Sequence, residues 1–424
     1  MSEILTIERL GPKGDGVALL DGEVVYVPKA VPGDQVKVEI TETSDGILRG
    51  RVIDFISHGA ERITAPCAHY ESCGGCQIQH ISDAHYKDWK NDTIRGTLEK
   101  AKVAPEVWGE PIFIPHATRR RATLAAFKTA KEITLGFHQS KSHELQPVED
   151  CLLLTPALNN LVQHIKPYLI RFLKEQTPTD IQLQDVDGAI EMIIIGPLSR
   201  SGEADTNQRK IIAEMCEELK IARVGWQAKE FAEIEPVISI APVVKTYGDM
   251  KVDIPMGAFL QPSAEGEAAL VSLVQNAMPR KKKMKIADLY AGCGTFTGPA
   301  LKNGAVHAVE ENGKAVQAIF GASKKVPNLT AEKRNLTAEP MTVRELKNYD
   351  VVIFDPPRAG AKEQCEKLAK SNVETVIAVS CNPATFARDA KILVEGGYKF
   401  KKLTAVDQFI WSPHSEVVGV FSRA

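Results

Sequence analysis

From about residue 250 onward the chain repeats one unit: an apolar run of four to six residues closed by glycine or proline, then a helix-compatible segment. The runs are "KIADLYAG", "GAVHAVEEN", "YDVVIFDPP" and "VETVIAVSCN", and the chain closes on "KKLTAVDQFI" and "SEVVGVFSR". A strand with one wet face alternates apolar and polar residues. Runs without alternation suit strands buried on both faces, which means a mostly parallel sheet covered by helices. The expected architecture over 246–424 is therefore a doubly wound α/β domain, with ligands at the carboxyl ends of its strands.

The rest of the chain has a different texture. Residues 1–57 read as five short strands, "ILTIERLG", "GVALLDG", "EVVYVPKAV", "DQVKVEITET" and "ILRGRVIDFI", separated by turns such as Gly14-Asp15-Gly16 and Pro32-Gly33-Asp34. Five such strands in so short a span predict a small barrel of the oligonucleotide-binding type. Residues 58–245 begin with a cysteine loop and the helical stretch "ISDAHYKDWKNDTIRGTLEKA". They continue as an α+β middle domain, with strands "EITLGFHQ", "AIEMIIIG" and "EPVISIA" and helices "ALNNLVQHIKPYLIRFLKEQ" and "NQRKIIAEMCEEL".

The formal net charge of −2 gives no global sign of a polyanion partner. Local patches exist. Arg280, Lys281, Lys282, Lys283 and Lys285 read as a solvated linker, whereas strand alternation in "ATRRRATLAAF" puts Arg119 and Arg121 on one face, where they could contact phosphates, and Arg120 on the other. The first residues carry no basic segment followed by an apolar run, and no stretch is long and apolar enough for a membrane span. The expected compartment is the cytosol, without membrane attachment, where the eight cysteines would stay reduced. Cys67, Cys73 and Cys76 crowd into "PCAHYESCGGC": too many thiols for one disulfide, and one too few for a closed tetrahedral metal site.

"ADLYAGCGTFT" sets a Gly-x-Gly turn, Gly292 and Gly294, directly after the first buried run. A dinucleotide fingerprint would need glycine where Thr297 stands, and no lysine follows to hold a triphosphate. Glu310 ends the next run, where a carboxylate can accept hydrogen bonds from ribose hydroxyls. An acid for ribose without a pyrophosphate loop fits an adenosine cofactor lacking phosphates, S-adenosyl-L-methionine. In "VSCNPATFARD", Cys381 closes a strand and Asn382-Pro383 opens a helix. The helix N-terminus is expected to favour the thiolate, which makes Cys381 a candidate nucleophile. Asp355 in "FDPPRAG" is expected to face a bound base or the cofactor, and Glu416 in "HSEVV" is a candidate general base.

Together, "DLYAGCGTFT", "FDPPRAG", "SCNPATFARD" and "HSEVV" resemble the RNA uracil-5-methyltransferase family. The resemblance covers nearly the whole chain, since "GDGVALLDGEVVYVPKAVPGDQVKVEI" is similar to the TRAM domain, an RNA-binding barrel. It implies a class I methyltransferase sheet, attack of Cys381 on uracil C6, methylation of C5, and removal of the C5 proton by Glu416. Cofactor contacts implied by position are Gln261, Tyr290, Gly292, Gly294, Thr295, Glu310, Asn335 and Asp355. "CAHYESCGGCQIQH" resembles the loop of members carrying a [4Fe–4S] cluster, and "VEDCLLLTP" then supplies Cys151 as fourth ligand. Zinc is the alternative metal, because four thiolates suit both. The implied partner is RNA, 23S ribosomal RNA with transfer RNA as the alternative, and the implied state is a monomer. Two positions depart from the family pattern: Ser263 stands where asparagine is usual in Phe-x-Gln-x-Asn, and Thr295 where asparagine is common.

Three other readings use the same features. A radical methylthiotransferase would need a Cys-x-x-x-Cys-x-x-Cys triplet, which is absent here. A 5-methylcytidine enzyme would offer a second motif cysteine, where this chain has Asp355-Pro356-Pro357. A non-catalytic RNA-binding protein would have no need of both Cys381 and Glu416.

Overall fold

The computed structural model describes residues 2–42, 46–140, 142–198, 204–324 and 326–423. The chain forms two compact units. One comprises Met1–Gly96, His138–Glu144 and Phe409–His414; the other comprises Thr97–Phe137, Leu145–Gln408 and Ser415–Ala424. Among the described residues no helix is long and apolar enough to cross a membrane.

The first unit opens with a six-stranded sheet, in the spatial order Ser2–Thr6, Gln35–Glu42, Leu48–Ser57, Glu23–Val27, Gly16–Leu20, Arg9–Leu10. The run expected as one strand over 4–11 is broken, because Ile7 leaves the ladder and donates its N–H to the carbonyl of Asp34 (2.9 Å). Leu5, Ile7, Val25, Val27, Val36 and Val38 form the core. Asp34 is fully buried and accepts hydrogen bonds from Val31 N–H (2.7 Å), Gly59 N–H (2.9 Å) and Arg62 Nε (3.0 Å). Burial pushes its pKa up, but the Arg62 and backbone hydrogen bonds outweigh burial and hold it below the ordinary carboxylate range.

The cysteine loop follows. Buried Tyr70 donates its hydroxyl to the carbonyl of Gln77 (2.7 Å), and the carbonyl of Trp411 accepts the N–H groups of Gln77 (2.8 Å) and Ile78 (3.3 Å). Residues 409–414 thus belong to this unit, although in sequence they join the last two strands of the C-terminal sheet.

In the second unit a seven-stranded sheet runs Leu145–Pro147, Ile133–His138, Arg121–Lys128, Pro178–Val186, Ala189–Ile195, Ile221–Gln227, Glu235–Ser239. The long helix expected over "ALNNLVQHIKPYLIRFLKEQ" is two helices, Pro156–His164 and Lys166–Phe172, because Pro167 lacks an N–H to continue the first.

The C-terminal sheet contains β1 (Met284–Leu289), β2 (Gly304–Glu310), β3 (Leu329–Lys333), β4 (Val351–Phe354), β5 (Thr375–Ser380), β6 (Lys399–Asp407) and β7 (Glu416–Ser422). Their spatial order is 3-2-1-4-5-7-6, and β7 alone among these runs antiparallel to its neighbours. Every residue of β4 and β5 is buried, as the unbroken apolar runs require. The order reverses between β1 and β4, which opens a crevice beyond their carboxyl ends.

Replacement of Asp34 by Asn should lower the stability of the full chain by roughly 3 kcal/mol, because Arg62 would lose its buried counter-charge. The wild type should also lose this stabilisation as pH falls. A carboxylate with a depressed folded pKa stabilises above its unfolded pKa and ceases to do so below its folded one. Denaturant titrations of both proteins at neutral and acidic pH check this; equal pH dependence would refute it.

Candidate active site

Four short segments meet at the carboxyl edge of the sheet. The turn after β1 contains Tyr290, Gly292 and Gly294, all at positive φ (60°, 55° and 103°). That backbone suits glycine and is strained for Tyr290, the first residue beyond the strand. Glu310, at the end of β2, accepts Gly292 N–H with Oε2 (2.9 Å) and Asn312 N–H with Oε1 (2.8 Å). Each oxygen retains a lone pair, and a side chain at Gly292 would meet open space. The turn therefore suits an adenosine-bearing cofactor without phosphates. Behind it, buried Asp288 accepts the Thr297 hydroxyl, and burial raises its pKa to about 7. Thr295 is half-buried in the same turn. Asn335, after β3, spends its carbonyl on Thr337 and Ala338 N–H (3.0 and 2.9 Å) and donates its amide to Glu311 (2.7 Å).

The motifs "FDPPRAG" and "SCNPATFARD" are two sides of one joint. From the helix Pro383–Glu395 and its cap, Asn382 Nδ2 and Thr385 Oγ1 both donate to the carbonyl of Arg358 (3.1 and 3.2 Å). Arg388 donates to the carbonyl of Ala359 (2.9 Å), and buried Asp389 accepts Ala361 N–H (2.7 Å). The β4 loop carrying Asp355 is thereby stapled to the β5 helix carrying Cys381. Gly360 has φ +81°, and an added Cβ would lie 2.5 Å from Arg388 Nη2 and 2.6 Å from Asp389 Oδ2.

The polar centre is a chain of side chains. Gln261 Nε2 donates to Asp355 Oδ2 (3.0 Å). Gln408 Nε2 donates both to Gln261 Oε1 (2.8 Å) and to Glu416 Oε2 (2.9 Å). Gln261 and Glu416 are buried. Burial raises the pKa of Asp355 and of Glu416, and the Asp355 charge raises Glu416 further. Cys381 is half-buried, and its pKa is pushed up to about 11 by burial and by the Glu416 and Asp355 carboxylates; Arg358 opposes this. The thiolate expected from the helix N-terminus alone is thus disfavoured in the free protein, because two carboxylates and burial outweigh one helix end.

Arg120 explains how Gln261 is aimed. It is buried, donates Nε to the carbonyl of Gln261 (2.8 Å) and Nη2 to Glu267 Oε2 (2.7 Å), and its own N–H bonds the carbonyl of Pro262 (2.8 Å). Arg121, on the opposite face as alternation required, lies over the exposed ring of Phe259 (5.2 Å). Ser263 caps the helix Ala264–Ala277, its Oγ accepting Gly266 N–H (3.0 Å). Serine and asparagine are both strong N-caps, so this departure from the family motif preserves the local job of that position.

Cys67, Cys73 and Cys76 lie in the first unit and Cys151 in the second; all four are half-buried, unlike buried Cys216, Cys293 and Cys365. Gly75 N–H donates to Cys73 Sγ (3.4 Å), and Asn159 clamps the backbone of Cys151 through two bonds of 2.9 Å. Among the described residues no three or more His, Cys, Asp or Glu side chains are gathered as metal ligands. In donor type the four fit thiophilic iron or zinc; all four are partly accessible, and Cys151 also packs against the apolar core of the second unit.

Sequence reasoning passed over Gln408, Arg120 and the stapling residues. One signal for Gln408 was available: it follows β6, whose Val406 pairs with Glu416 across the antiparallel ladder.

The strand order, the glycine turn and the acid ending β2 define a class I methyltransferase. Residues 4–53 match the TRAM domain family, and residues 248–424 match the tRNA (Uracil-5-)-methyltransferase family. The chain belongs to the RNA uracil-5-methyltransferases and is an S-adenosylmethionine-dependent enzyme of that family. It is 35% identical to an RNA methyltransferase of Agrobacterium fabrum, over 100% of both chains. It is 30% identical to the 23S rRNA (uracil(1939)-C(5))-methyltransferase RlmD of Shewanella, over 99% of this chain and 95% of that one. The fold is shared with the Pyrococcus abyssi tRNA (uracil-54, C5)-methyltransferase, solved in complex with S-adenosyl-L-homocysteine, at a TM-score of 0.75, 20% identity and coverage of 98% and 99%.

Two outcomes follow from this geometry. Alkylation of Cys381 by iodoacetamide, followed at that peptide by mass spectrometry, should be slow at neutral pH and rise toward about pH 11; a plateau reached below pH 8 would mean that the helix end dominates after all. Gly360→Ala should destabilise the protein by about 1–3 kcal/mol and reduce turnover, read by thermal melts and methyl incorporation.

Proposed function

We propose that this enzyme methylates C5 of a uridine in 23S ribosomal RNA through a covalent adduct between Cys381 and C6. The observation that carries the reading is the hydrogen-bonded chain Asp355–Gln261–Gln408–Glu416 beside the Cys381 thiol. Uracil C5 is a weak nucleophile until a group adds to C6. Cys381 Sγ gives its proton to water and bonds to C6, and the C5–C6 π electrons move toward O4 to give an enolate nucleophilic at C5. S-adenosylmethionine, when bound, supplies the electrophilic methyl group. Asp355 and Gln261 orient the base and cofactor. Glu416 then takes the C5 proton, the C5–C6 double bond re-forms, and Cys381 leaves as thiolate. The raised pKa values have a role here, since the positive sulfonium of the cofactor would favour ionisation of carboxylates whose ionisation burial disfavours in the free protein. The target uridine must leave its stack to reach a half-buried thiol. The choice of 23S rRNA is supported by the resemblance to RlmD along the whole chain.

Cys67, Cys73 and Cys76 are assigned as ligands of a [4Fe–4S] cluster, with Cys151 as the fourth ligand that the family resemblance implies. The half-buried state of Cys67, Cys73 and Cys76 supports this over a packing role, whereas Cys151 also packs against the apolar core of the second unit.

RNA containing 5-fluorouridine should trap wild-type protein as a covalent complex in the presence of cofactor, and Cys381→Ala should form none. In a deletion strain, wild type should restore 5-methyluridine to ribosomal RNA. Restoration in transfer RNA would overturn the substrate, and absence of any adduct would overturn the mechanism. Anaerobically purified protein should contain iron and acid-labile sulfide, both reduced in Cys73→Ala; zinc without sulfide would replace the cluster by a zinc site.

A further inference from the structure

We propose that Gln408 is a positioning residue that sets the Glu416 carboxylate for the step releasing the methylated base; the inference rests on the reaction proposed above. Gln408 is 4% exposed and immediately follows β6. Its Nε2 stands between two acceptors, Gln261 Oε1 (2.8 Å) and Glu416 Oε2 (2.9 Å), so both amide hydrogens are committed. Its Oε1 is buried without a hydrogen-bond partner. Turning the amide over would set that oxygen against the Gln261 carbonyl and, once Glu416 ionises, against a carboxylate. One orientation is therefore favoured.

The space for this side chain comes from Gly266. A Cβ added there would lie 2.4 Å from Gln408 Oε1 and 2.9 Å from Gln408 Cβ. The helix that Ser263 caps is thus notched where the amide passes. Gln261 is held independently of Gln408 through its backbone carbonyl by Arg120, and its own amide reaches Asp355. Among the described residues Gln408 is the hydrogen-bond donor to the Glu416 carboxylate, and the Asp355 charge acts on it electrostatically.

The consequence falls on one step. With Oε2 fixed by Gln408, Oε1 is the oxygen presented to the C5 proton. When that proton moves to Oε1, the C5–H electrons form the C5–C6 double bond and the C6–S bond breaks toward Cys381. Addition of Cys381 and capture of the methyl group precede this transfer. Loss of Gln408 should therefore slow release more than methylation, and the methylated covalent intermediate should accumulate on natural RNA.

The test is a single-turnover reaction of the full-length enzyme with 23S rRNA fragments, tritiated at uracil C5, and carbon-labelled S-adenosylmethionine. Quenched samples give methylated protein–RNA adduct, free methylated RNA and released tritium. Gln408→Met keeps the volume and removes both donors. It should slow tritium release roughly tenfold or more, as expected for a mispositioned general base, and raise the adduct fraction, with methyl capture little changed. Gly266→Ala, whose Cβ would crowd Gln408 and also Ser263 Oγ (2.7 Å) without removing a polar group, should give the same partition. Equal slowing of methyl capture and release, or an unchanged adduct fraction in both variants, would overturn the role of Gln408. Failure of the wild type to methylate or to form any adduct would instead overturn the proposed reaction. Thermal melts and cofactor binding establish that both variants are folded; should Gln408→Met fail to fold, Gly266→Ala decides.

Discussion

The active-site half of this molecule depends on a buried cation. Arg120 has lost nearly all its water, a cost of several kcal/mol unless it is repaid by charge and hydrogen bonds. Glu267 supplies the counter-charge, and the carbonyl of Gln261 accepts the Nε–H. Lys245 and Asp187 extend the network, with Lys245 bonded to Glu267 at 3.0 Å and to Asp187 at 2.9 Å. Such a cluster is unfavourable in any other arrangement, so it fixes where the loop before the helix Ala264–Ala277 must run. Gln261 then has one direction in which to point. The polar chain through Asp355, Gln408 and Glu416 inherits its geometry from that restriction.

Around this chain the protein uses burial to keep reactive groups at rest. Cys381, Asp355 and Glu416 each ionise less readily than in water because of burial, to which nearby carboxylate charge adds for Cys381 and Glu416. A cationic cofactor entering such a site changes the balance for all three at once. The stapled joint between the β4 loop and the β5 helix supplies rigidity, with Asn382, Thr385, Arg388 and Asp389 spent on backbone groups of 358–361.

The family motifs are legible as local chemistry because each residue works near its neighbours in sequence. Glycines at positive φ, a proline in the first turn of a helix and an asparagine cap all act within a few positions. The departure at Ser263 also reads locally, since serine performs the capping for which asparagine is equally suited. By contrast, Pro178–Val186 escaped the sequence reading, although Ile181 and Leu183 alternate with polar residues as a strand should. Its Thr, Asp and Gln residues masked a period of two that is present. The single helix expected over 157–176 ignored Pro167, whose missing N–H the structure honours with a break.

Sequence alone determined the class of fold at the C-terminal end, because strands buried on both faces must be apolar throughout, and it marked Cys381, Glu416, Asp355 and Glu310 by the ends of those strands. Tertiary structure decided what no local pattern carries. It buried Arg120 of three consecutive arginines, used Gln408 to join Gln261 to Glu416, and made two motifs into one joint. It also raised the pKa of the Cys381 thiol, the proposed nucleophile. The local helix end favours a thiolate, but the field at Cys381 is the sum of burial and carboxylates brought from distant positions. Electrostatics and hydrogen bonding act through space, and the partners that matter here are separated by tens to hundreds of residues along the chain.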